Sequence, residues 1–292
     1  MNFLDLADNK TFQKWVDHKN SAYALRSAID FPLLADIAGD GTIPPSSLAQ
    51  LSQQIDRYNF ALYRMDETVD DPLAALKTMG GQLGLRALDK NLCAREDRIT
   101  RLSVVETGRS QHYIPYSNKA IGWHTDGYYN PMPQRVLAML LHCEHPAAEG
   151  GENQLLDPDM VYIHLRKQNP DFVRALSDPA VMCIPANIED GVQVRAQTCS
   201  AVFIQEQDHA LTMRYSKRKH NIVWLQDVLT QEALHCLEEF LESDSPYHVR
   251  YRLNAGEGVV CNNVLHTRSA FVDSGQHKRV YYRARYYNRI QF

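Results

Sequence analysis

Hydrophobic and polar positions change rhythm about a third of the way along the chain. In the first part, Leu48, Leu51 and Ile55 follow Ser46 and Ser47 at helical spacing, and either serine can cap that helix. Residues 58–63 then read as a strand. A second helix follows Pro72, with Leu73, Leu76 and Met79 on one stripe and Gly80-Gly81 ending it. Both stripes read as core. The first 45 residues mix short apolar clusters with Pro, Gly and Asp and predict no clear element. Trp15, Tyr23 and Phe31 are large enough to dock that segment on a main body. Beyond a charged connector around Arg95 to Arg98, short apolar or alternating segments recur at 102–105, 136–143, 181–184, 192–196, 201–204, 211–215, 248–253, 258–261 and 280–287. Many short strands separated by turn residues predict a β-sandwich or barrel. Two helical insertions interrupt them. One starts near Asp157-Pro158 and restarts at Asn169-Pro170, each pair fitting an N-cap followed by proline at the first helical position. The other runs from about Thr230 to Leu241, with Leu234, Leu237 and Leu241 in register. With no internal repeat and no low-complexity tract, the expectation is one α+β domain spanning 1–292. In it, residues 1–100 form a helix/strand segment packed on a jelly-roll core (a double-stranded β-helix) at 101–292, with flanking and inserted helices.

Composition narrows the class. A length of 292 residues sustains a single core, and 44% apolar with 23% charged residues is ordinary for a soluble globular protein. A net charge of -4 exerts no long-range pull toward nucleic acid or an anionic membrane. The local basic run Lys217-Arg218-Lys219-His220 reads as a solvated loop. The N-terminus has no basic region followed by an apolar stretch, so it does not read as a signal peptide, and nothing in the chain is apolar for the roughly 20 residues that span a membrane. Cys93, Cys143, Cys183, Cys199, Cys236 and Cys261 are scattered without a Cys-x-x-Cys pair, which predicts reduced, mostly buried thiols and a cytoplasmic protein. The strand-rich core and moderate charge permit a homo-oligomer.

Candidate chemistry centres on the stretch Ile121-Gly-Trp-His-Thr-Asp-Gly-Tyr-Tyr-Asn130. His124 and Asp126 are two apart, so on a strand an imidazole and a carboxylate emerge on one face. That is two thirds of a 2-His-1-carboxylate metal site, which leaves coordination positions open. In a chain with 12 histidines and 35 acids such a pair also arises by chance. His266 lies 140 residues beyond Asp126, after a short apolar strand and Asn262-Asn263, and is followed by Arg268 and Phe271. By itself it reads as a half-buried histidine; beside His124-Thr-Asp126 it is a candidate third ligand. The final strand, Lys278-Arg-Val-Tyr-Tyr-Arg-Ala-Arg-Tyr-Tyr-Asn-Arg289, places Arg279, Arg283 and Arg285 on one face and Val280, Tyr282 and Ala284 on the other. Composition favours an edge strand with a charged outer face. Its distance from His266 favours an arginine turned inward to fork a ligand carboxylate.

His124-x-Asp126, the distal His266 and an arginine 13 to 17 residues further on together resemble the iron(II)- and 2-oxoglutarate-dependent dioxygenases, and most nearly the taurine dioxygenase (TauD/TfdA) superfamily. The stretch 47–85 looks like that family's N-terminal segment. Leu140-Leu-His-Cys-Glu-His-Pro-Ala-Ala-Glu-Gly-Gly-Glu-Asn153 is similar to the segment after its first two ligands, particularly in the γ-butyrobetaine hydroxylase branch. The resemblance implies that His124, Asp126 and His266 hold iron(II), that Arg283 pairs the distal carboxylate of 2-oxoglutarate, and that Arg279 is a second anion contact. Asn153 stands where the family often has a threonine that helps hold the co-substrate, and Asn262 stands where an aspartate is common, while Asn263 keeps the pattern. The implied reaction consumes O2 and 2-oxoglutarate, releases succinate and CO2, and hydroxylates an unactivated C–H bond of a small polar metabolite (an amino acid, betaine or sulfonate). Desaturation and ring formation stay open, whereas halogenating relatives lack the carboxylate that Asp126 supplies. Candidate substrate contacts flank the ligands: Arg109, Tyr113, Tyr116, Asn118, Tyr128, Tyr129 and Asn130. Arg109 suits a carboxylate and the tyrosines a cationic amine, and any of them serves equally for packing. The zinc-binding N-terminal domain usual in the γ-butyrobetaine branch has no counterpart, since no Cys/His cluster stands in the first 90 residues. A zinc hydrolase using the same triad and a non-catalytic jelly-roll binding protein are the rival classes.

Overall fold

A computed structural model describes residues 2–3, 5–27, 33–66, 69–89, 98–107, 113–218, 221–275 and 277–292. Its helices are α1 (Asn9–Ser27), α2 (Pro45–Tyr58), α3 (Pro72–Gln82), α4 (Pro158–Gln168), α5 (Pro170–Ala175) and α6 (Val228–Glu242). Ten strands build the two larger sheets: β1 (Leu34–Asp36), β2 (Phe60–Arg64), β3 (Thr100–Leu102), β4 (Ile121–His124), β5 (Ala138–His145), β6 (Asn153–Leu156), β7 (Val249–Tyr251), β8 (Glu257–Cys261), β9 (Leu265–Arg268) and β10 (Val280–Tyr286). One sheet runs β1-β2-β8-β5-β10-β3 and the other β7-β6-β9-β4. All pairings in them are antiparallel except β1 with β2. The architecture is therefore mixed α and β, with residues 34–64 contributing two strands to the same sheet as β10.

Strand alternation divides the six-stranded sheet between two cores. Phe60, Leu62, Met139, Leu141, Val259 and Cys261 join Leu155 and Leu265 of the other sheet and residues of α4, α5 and α6. Their neighbours Ala61, Tyr63, Ala138, Leu140 and Val260 face Leu51 and Ile55 of α2 and Leu76 and Met79 of α3. A sheet covered on both faces favours apolar residues at consecutive positions, and for that reason 138–141 of β5 and 259–261 of β8 read as continuous apolar runs rather than alternating ones. Each fully buried Leu or Val side chain contributes about 1.5–3 kcal/mol.

Local capping chemistry sets the helix starts. Asp157 and Asn169 accept from the backbone N–H two residues on, at 2.9 Å each, with Pro158 and Pro170 opening α4 and α5 as expected. α2 starts earlier than the serines suggest: Pro45 opens it, and Ser47 Oγ instead donates to the Asp36 carbonyl of β1 at 2.5 Å. α3 runs through Gly80-Gly81 to Gln82; Gly80 is there for packing rather than to end the helix, since a side chain on it would meet Tyr286 Oη at 2.7 Å. α1 was not expected. Its inner stripe of Phe12, Val16, Ala22 and Tyr23 is interrupted by Lys19, which is only 2% exposed and lies 2.8 and 2.7 Å from Asp157 and Asp159. Burial alone would lower the Lys19 pKa, but the two carboxylates raise it well above its usual value. Trp15 and Tyr23 dock the helix, against Phe3 and Tyr162 and against Tyr58 respectively, while Phe31 lies outside the described residues.

One expectation fails outright. Cys183 and Cys199 are joined in a disulfide, directly opposite one another on paired strands at 182–184 and 198–200. Sixteen residues apart in sequence, they show no motif; a hairpin between them folds the chain back and brings them together. Cys143 and Cys261 are buried free thiols and Cys236 a partly buried one, while Cys93 lies outside the described residues. In the basic run, Lys217 pairs with Glu242, and Lys219 and His220 are outside the described residues. No described helix is long and apolar enough to cross a membrane.

Candidate metal and co-substrate site

The site forms where the four-stranded sheet faces the inner side of β10. β4 and β9 are adjacent and antiparallel, with His124 directly opposite His266 and their ring centroids 4.2 Å apart. Each Nδ1 lies 2.9 Å from a carbonyl oxygen two residues earlier, Gly122 for His124 and Val264 for His266. A carbonyl only accepts, so both Nδ1 atoms carry the proton and both Nε2 lone pairs are free to ligate. Asp126 Oδ1 is 4.0 Å from His124 Nε2, and one ligand atom from each of the three residues lies within 4.8 Å of the others.

Asp126 sits just past the end of β4, where the loop itself is clamped. Its N–H donates to Asn263 Oδ1 at 2.8 Å, and Asn263 Nδ2 donates back to the carbonyls of Asp126 (3.0 Å) and Val136 (2.7 Å). Gly127 follows at φ +64°, where a Cβ would stand 2.5 Å from Val136 Cγ2, so the turn admits only glycine. Arg214 Nη2 closes the loop by donating to the carbonyls of Tyr128 at 2.6 Å and Asn130 at 2.7 Å.

Electrostatics keep all three residues in ligand form. Burial, reinforced by the neighbouring His266, pulls His124 down to about 3, and burial also lowers His266. Burial alone would raise Asp126, but Arg283, then Arg285 and the two imidazoles, hold its carboxyl well below the usual range. Asp126 Oδ1 accepts from Arg283 Nη1 at 2.9 Å, while Oδ2 is buried with no hydrogen-bond partner. An orphaned carboxylate oxygen beside two exposed Nε2 lone pairs is a donor set suited to a divalent metal.

β10 is not an edge strand; it lies between β5 and β3, and Arg279, Arg283 and Arg285 are all buried on the inner side. Arg285 ion-pairs with Asp89 and donates to Tyr129 Oη at 3.2 Å. Arg283 is committed to Asp126. Arg279 is 2% exposed, stacks 3.7 Å from the Tyr281 ring centroid, and leaves Nε and Nη1 without partners. Beside it runs Gly151, whose added Cβ would lie 3.9 Å from Arg279 Nε, and two residues on Asn153 buries an unpartnered Nδ2.

The candidate substrate contacts separate. Arg109 lies outside the described residues. Tyr113 Oη donates to Glu189 Oε1 at 2.9 Å, and Tyr128 is buried with its ring edge-on to Tyr129 at 5.3 Å. Tyr116 packs in the core. Asn118 is exposed, its carbonyl accepting from Phe271 N–H, and Asn130 spends its amide on the Gln134 carbonyl within its own turn. Arg214 and Asp89 escaped the sequence because each acts through partners at least 82 residues away. Asn263 had a signal, its place beside Asn262 shortly before His266, but not its task.

Two histidines and a carboxylate on one side of a buried site, with unpartnered cationic and amide donors beside them, are the donor arrangement of mononuclear non-haem iron oxygenases. The family model for the taurine catabolism dioxygenase TauD, TfdA family matches residues 36–285, and the chain belongs to that family. It is a 2-oxoglutarate-dependent dioxygenase, with iron(II), 2-oxoglutarate and O2 as the cofactor and co-substrates of the class. The zinc hydrolase and non-catalytic alternatives give way to this assignment. A uridine-5'-phosphate dioxygenase from a Streptomyces species is 26% identical over 197 residues, 66% of this chain and 70% of that protein. Among solved structures, asparagine oxygenase in complex with Fe(II), 2S,3S-3-hydroxyasparagine and succinate superposes with a TM-score of 0.60 at 13% identity, covering 84% of this chain and 79% of the other. The non-heme iron oxygenase OrfP with Fe and alpha-ketoglutaric acid gives 0.60 at 13% identity, covering 84% and 80%.

Proposed function

We propose that this enzyme hydroxylates an unactivated C–H bond of a small polar metabolite, with His124, Asp126 and His266 holding iron(II). The observation that carries the reading is Asp126 Oδ2, buried and unpartnered beside two imidazoles whose Nδ1 protons are already placed. Iron(II) and 2-oxoglutarate bound there supply oxidative decarboxylation to succinate and CO2 and the oxidising power for the C–H bond. The protein's residues position and insulate. Arg283 steadies the Asp126 carboxylate through Oδ1 and leaves Oδ2 for the metal. Arg279, with its open donors, is a better partner for the distal carboxylate of 2-oxoglutarate than Arg283, and Asn153 Nδ2 adds a second donor. Asn263 and Arg214 hold the 126–130 loop so that Asp126 does not drift.

In this reading the six- and four-stranded sheets are the two halves of a double-stranded β-helix, and residues 1–292 form one domain. The amino-acid product named in the asparagine oxygenase complex and the nucleotide named for the Streptomyces relative both fit a small polar substrate. We place the enzyme in the cytoplasm on the buried free thiols Cys143 and Cys261, with the Cys183–Cys199 disulfide the one cysteine feature that points to an oxidising compartment instead. Anaerobic addition of iron(II) and 2-oxoglutarate tests the site: a weak visible charge-transfer band is expected, absent in His124→Ala and requiring more 2-oxoglutarate in Arg279→Ala. No band, with tight zinc binding and hydrolytic activity in its place, would overturn the reading.

A further inference from the structure

The clamp on Asp126 is itself held from outside the site. Asn263 lies in the turn between β8 and β9 and takes the left-handed backbone at φ 49°. A residue other than glycine keeps that conformation only where its surroundings fix it. Here they act through Asn262. The β2–β8 ladder pairs Phe60 with Cys261 and runs one step further, Asn262 N–H donating to the Asn59 carbonyl at 2.8 Å. Asn262 Nδ2 donates to Asn59 Oδ1 at 3.3 Å, and Asn262 Oδ1 accepts from the Ile290 N–H at 3.2 Å. Backbone and side chain of Asn262 are both tied, and Asn263 leaves that anchored residue with its amide aimed at the backbone of Asp126.

Asn59 follows the last residue of α2 and is left-handed as well, at φ 59°. That position suits glycine or asparagine, and glycine meets it at no steric cost. The side chain of Asn59 therefore has a use beyond the cap. Its Nδ2 donates to Asp157 at 2.9 Å and Asp159 at 3.1 Å, which turns Oδ1 the other way. There Oδ1 accepts from Asn262 and from Arg289 Nη2 at 3.1 Å. An amide with acceptors at one end and donors at the other has a single orientation. Asn59 and Asn262 are 203 residues apart in sequence, yet the path Asn59–Asn262–Asn263–Asp126 is unbroken in hydrogen bonds and one peptide bond.

We propose that Asn59 is a positioning residue for the metal ligand Asp126: by fixing Asn262 it fixes the turn that aims Asn263 at the Asp126 backbone. The inference rests on the iron(II) reading of that site, and its test on the full chain has one readout that needs no metal. In the metal-free protein, hydrogen exchange of the Asp126 amide, which donates to Asn263 Oδ1, should accelerate about threefold to thirtyfold in Asn59→Gly. That variant keeps the left-handed turn and removes only the side-chain amide. Anaerobic titration followed by the iron(II)–2-oxoglutarate band should show iron(II) affinity falling by a similar factor. Neither effect should add to that of Asn263→Ala, so the double variant matches Asn263→Ala within about twofold. A role confined to the helix end or to the Lys19 cluster moves the urea midpoint and leaves both readouts at their wild-type values. An unchanged Asp126 amide, an unchanged iron(II) affinity, or a double variant weaker than Asn263→Ala by more than that factor overturns the proposal. If Asn59→Gly does not fold, Asn262→Ala, which leaves Asn59 in place and loses the contacts to Asn59 Oδ1 and Ile290, is judged by the same two readouts and the same double variant. The wild-type band separates the two readings. If it forms and Asn59→Gly changes neither readout, this inference alone fails; if wild type forms no band, the iron(II) reading fails whatever the amide shows.

Discussion

Two buried clusters of charge in this molecule are built alike and finished differently. Around Lys19, the ammonium meets Asp157, Asp159 and the Arg57 carbonyl, and Asn59 Nδ2 donates to both carboxylates. Lys19, Asp157 and Asp159 leave no buried polar atom unpartnered. Around Asp126, by contrast, Asp126 Oδ2, Asn153 Nδ2, Arg279 Nε and Nη1 and Arg283 Nε are buried without partners. An unpaired buried polar group costs roughly 1–3 kcal/mol, so a cluster that retains several lowers stability unless something binds there. The complete cluster ties α1 to α4; the incomplete one keeps the open donors and the carboxylate oxygen that the proposed metal and co-substrate would use.

The comparison breaks most sharply through the ligands. His266→Ala should abolish 2-oxoglutarate turnover while leaving the denaturation midpoint close to wild type, as measured by succinate release and urea titration. Lys19→Ala should do the reverse. It leaves two buried carboxylates uncompensated and should lose about 3–5 kcal/mol of unfolding free energy, with the iron(II)–2-oxoglutarate band per folded molecule retained. Asn263→Ala removes the clamp on the Asp126 backbone, and iron(II) affinity should fall about tenfold to a hundredfold in anaerobic titration. Arg279→Ala should raise the KM for 2-oxoglutarate by about tenfold or more, and a smaller rise than that caused by Arg283→Ala would return the co-substrate contact to Arg283.

The smallest effect concerns His142, buried on β5 3.3 Å from Tyr63 Oη, where burial pulls its pKa from 6.5 to about 4. Between those values the unfolded chain binds the extra proton, so stability is lost as pH falls from 6.5 toward 4. His142→Gln should flatten that slope by up to about 1.4 kcal/mol per pH unit in denaturation series across the window.

Much of the site was legible before the fold, for reasons that can be traced to particular residues. Period two on the last strand put Arg279, Arg283 and Arg285 on one face, and the structure keeps them there. The edge-strand alternative fails because β3, only three residues long and following the connector, pairs along the outer side of β10. The 187–195 hairpin is half visible, as a strand at 192–196, and its Asp190-Gly191 turn carries a hairpin signal as well. α1 stayed hidden because a lysine in an apolar stripe looks like a break until its two aspartates, 138 and 140 residues away, are seen.

What the sequence by itself determined is what acts within a few residues. Proline and Asx caps start α4 and α5, strand alternation selects faces, and His124-x-Asp126 sets an imidazole and a carboxylate side by side. Tertiary structure alone decided the pairings: His266 opposite His124, Arg283 on Asp126, Arg279 left open, Asn263 as a clamp, and Cys183 bound to Cys199. The physical reason is range. Backbone propensity and capping are settled by neighbours along the chain. Which buried donor finds a partner, and which is left for a ligand, depends on what another strand places across the gap.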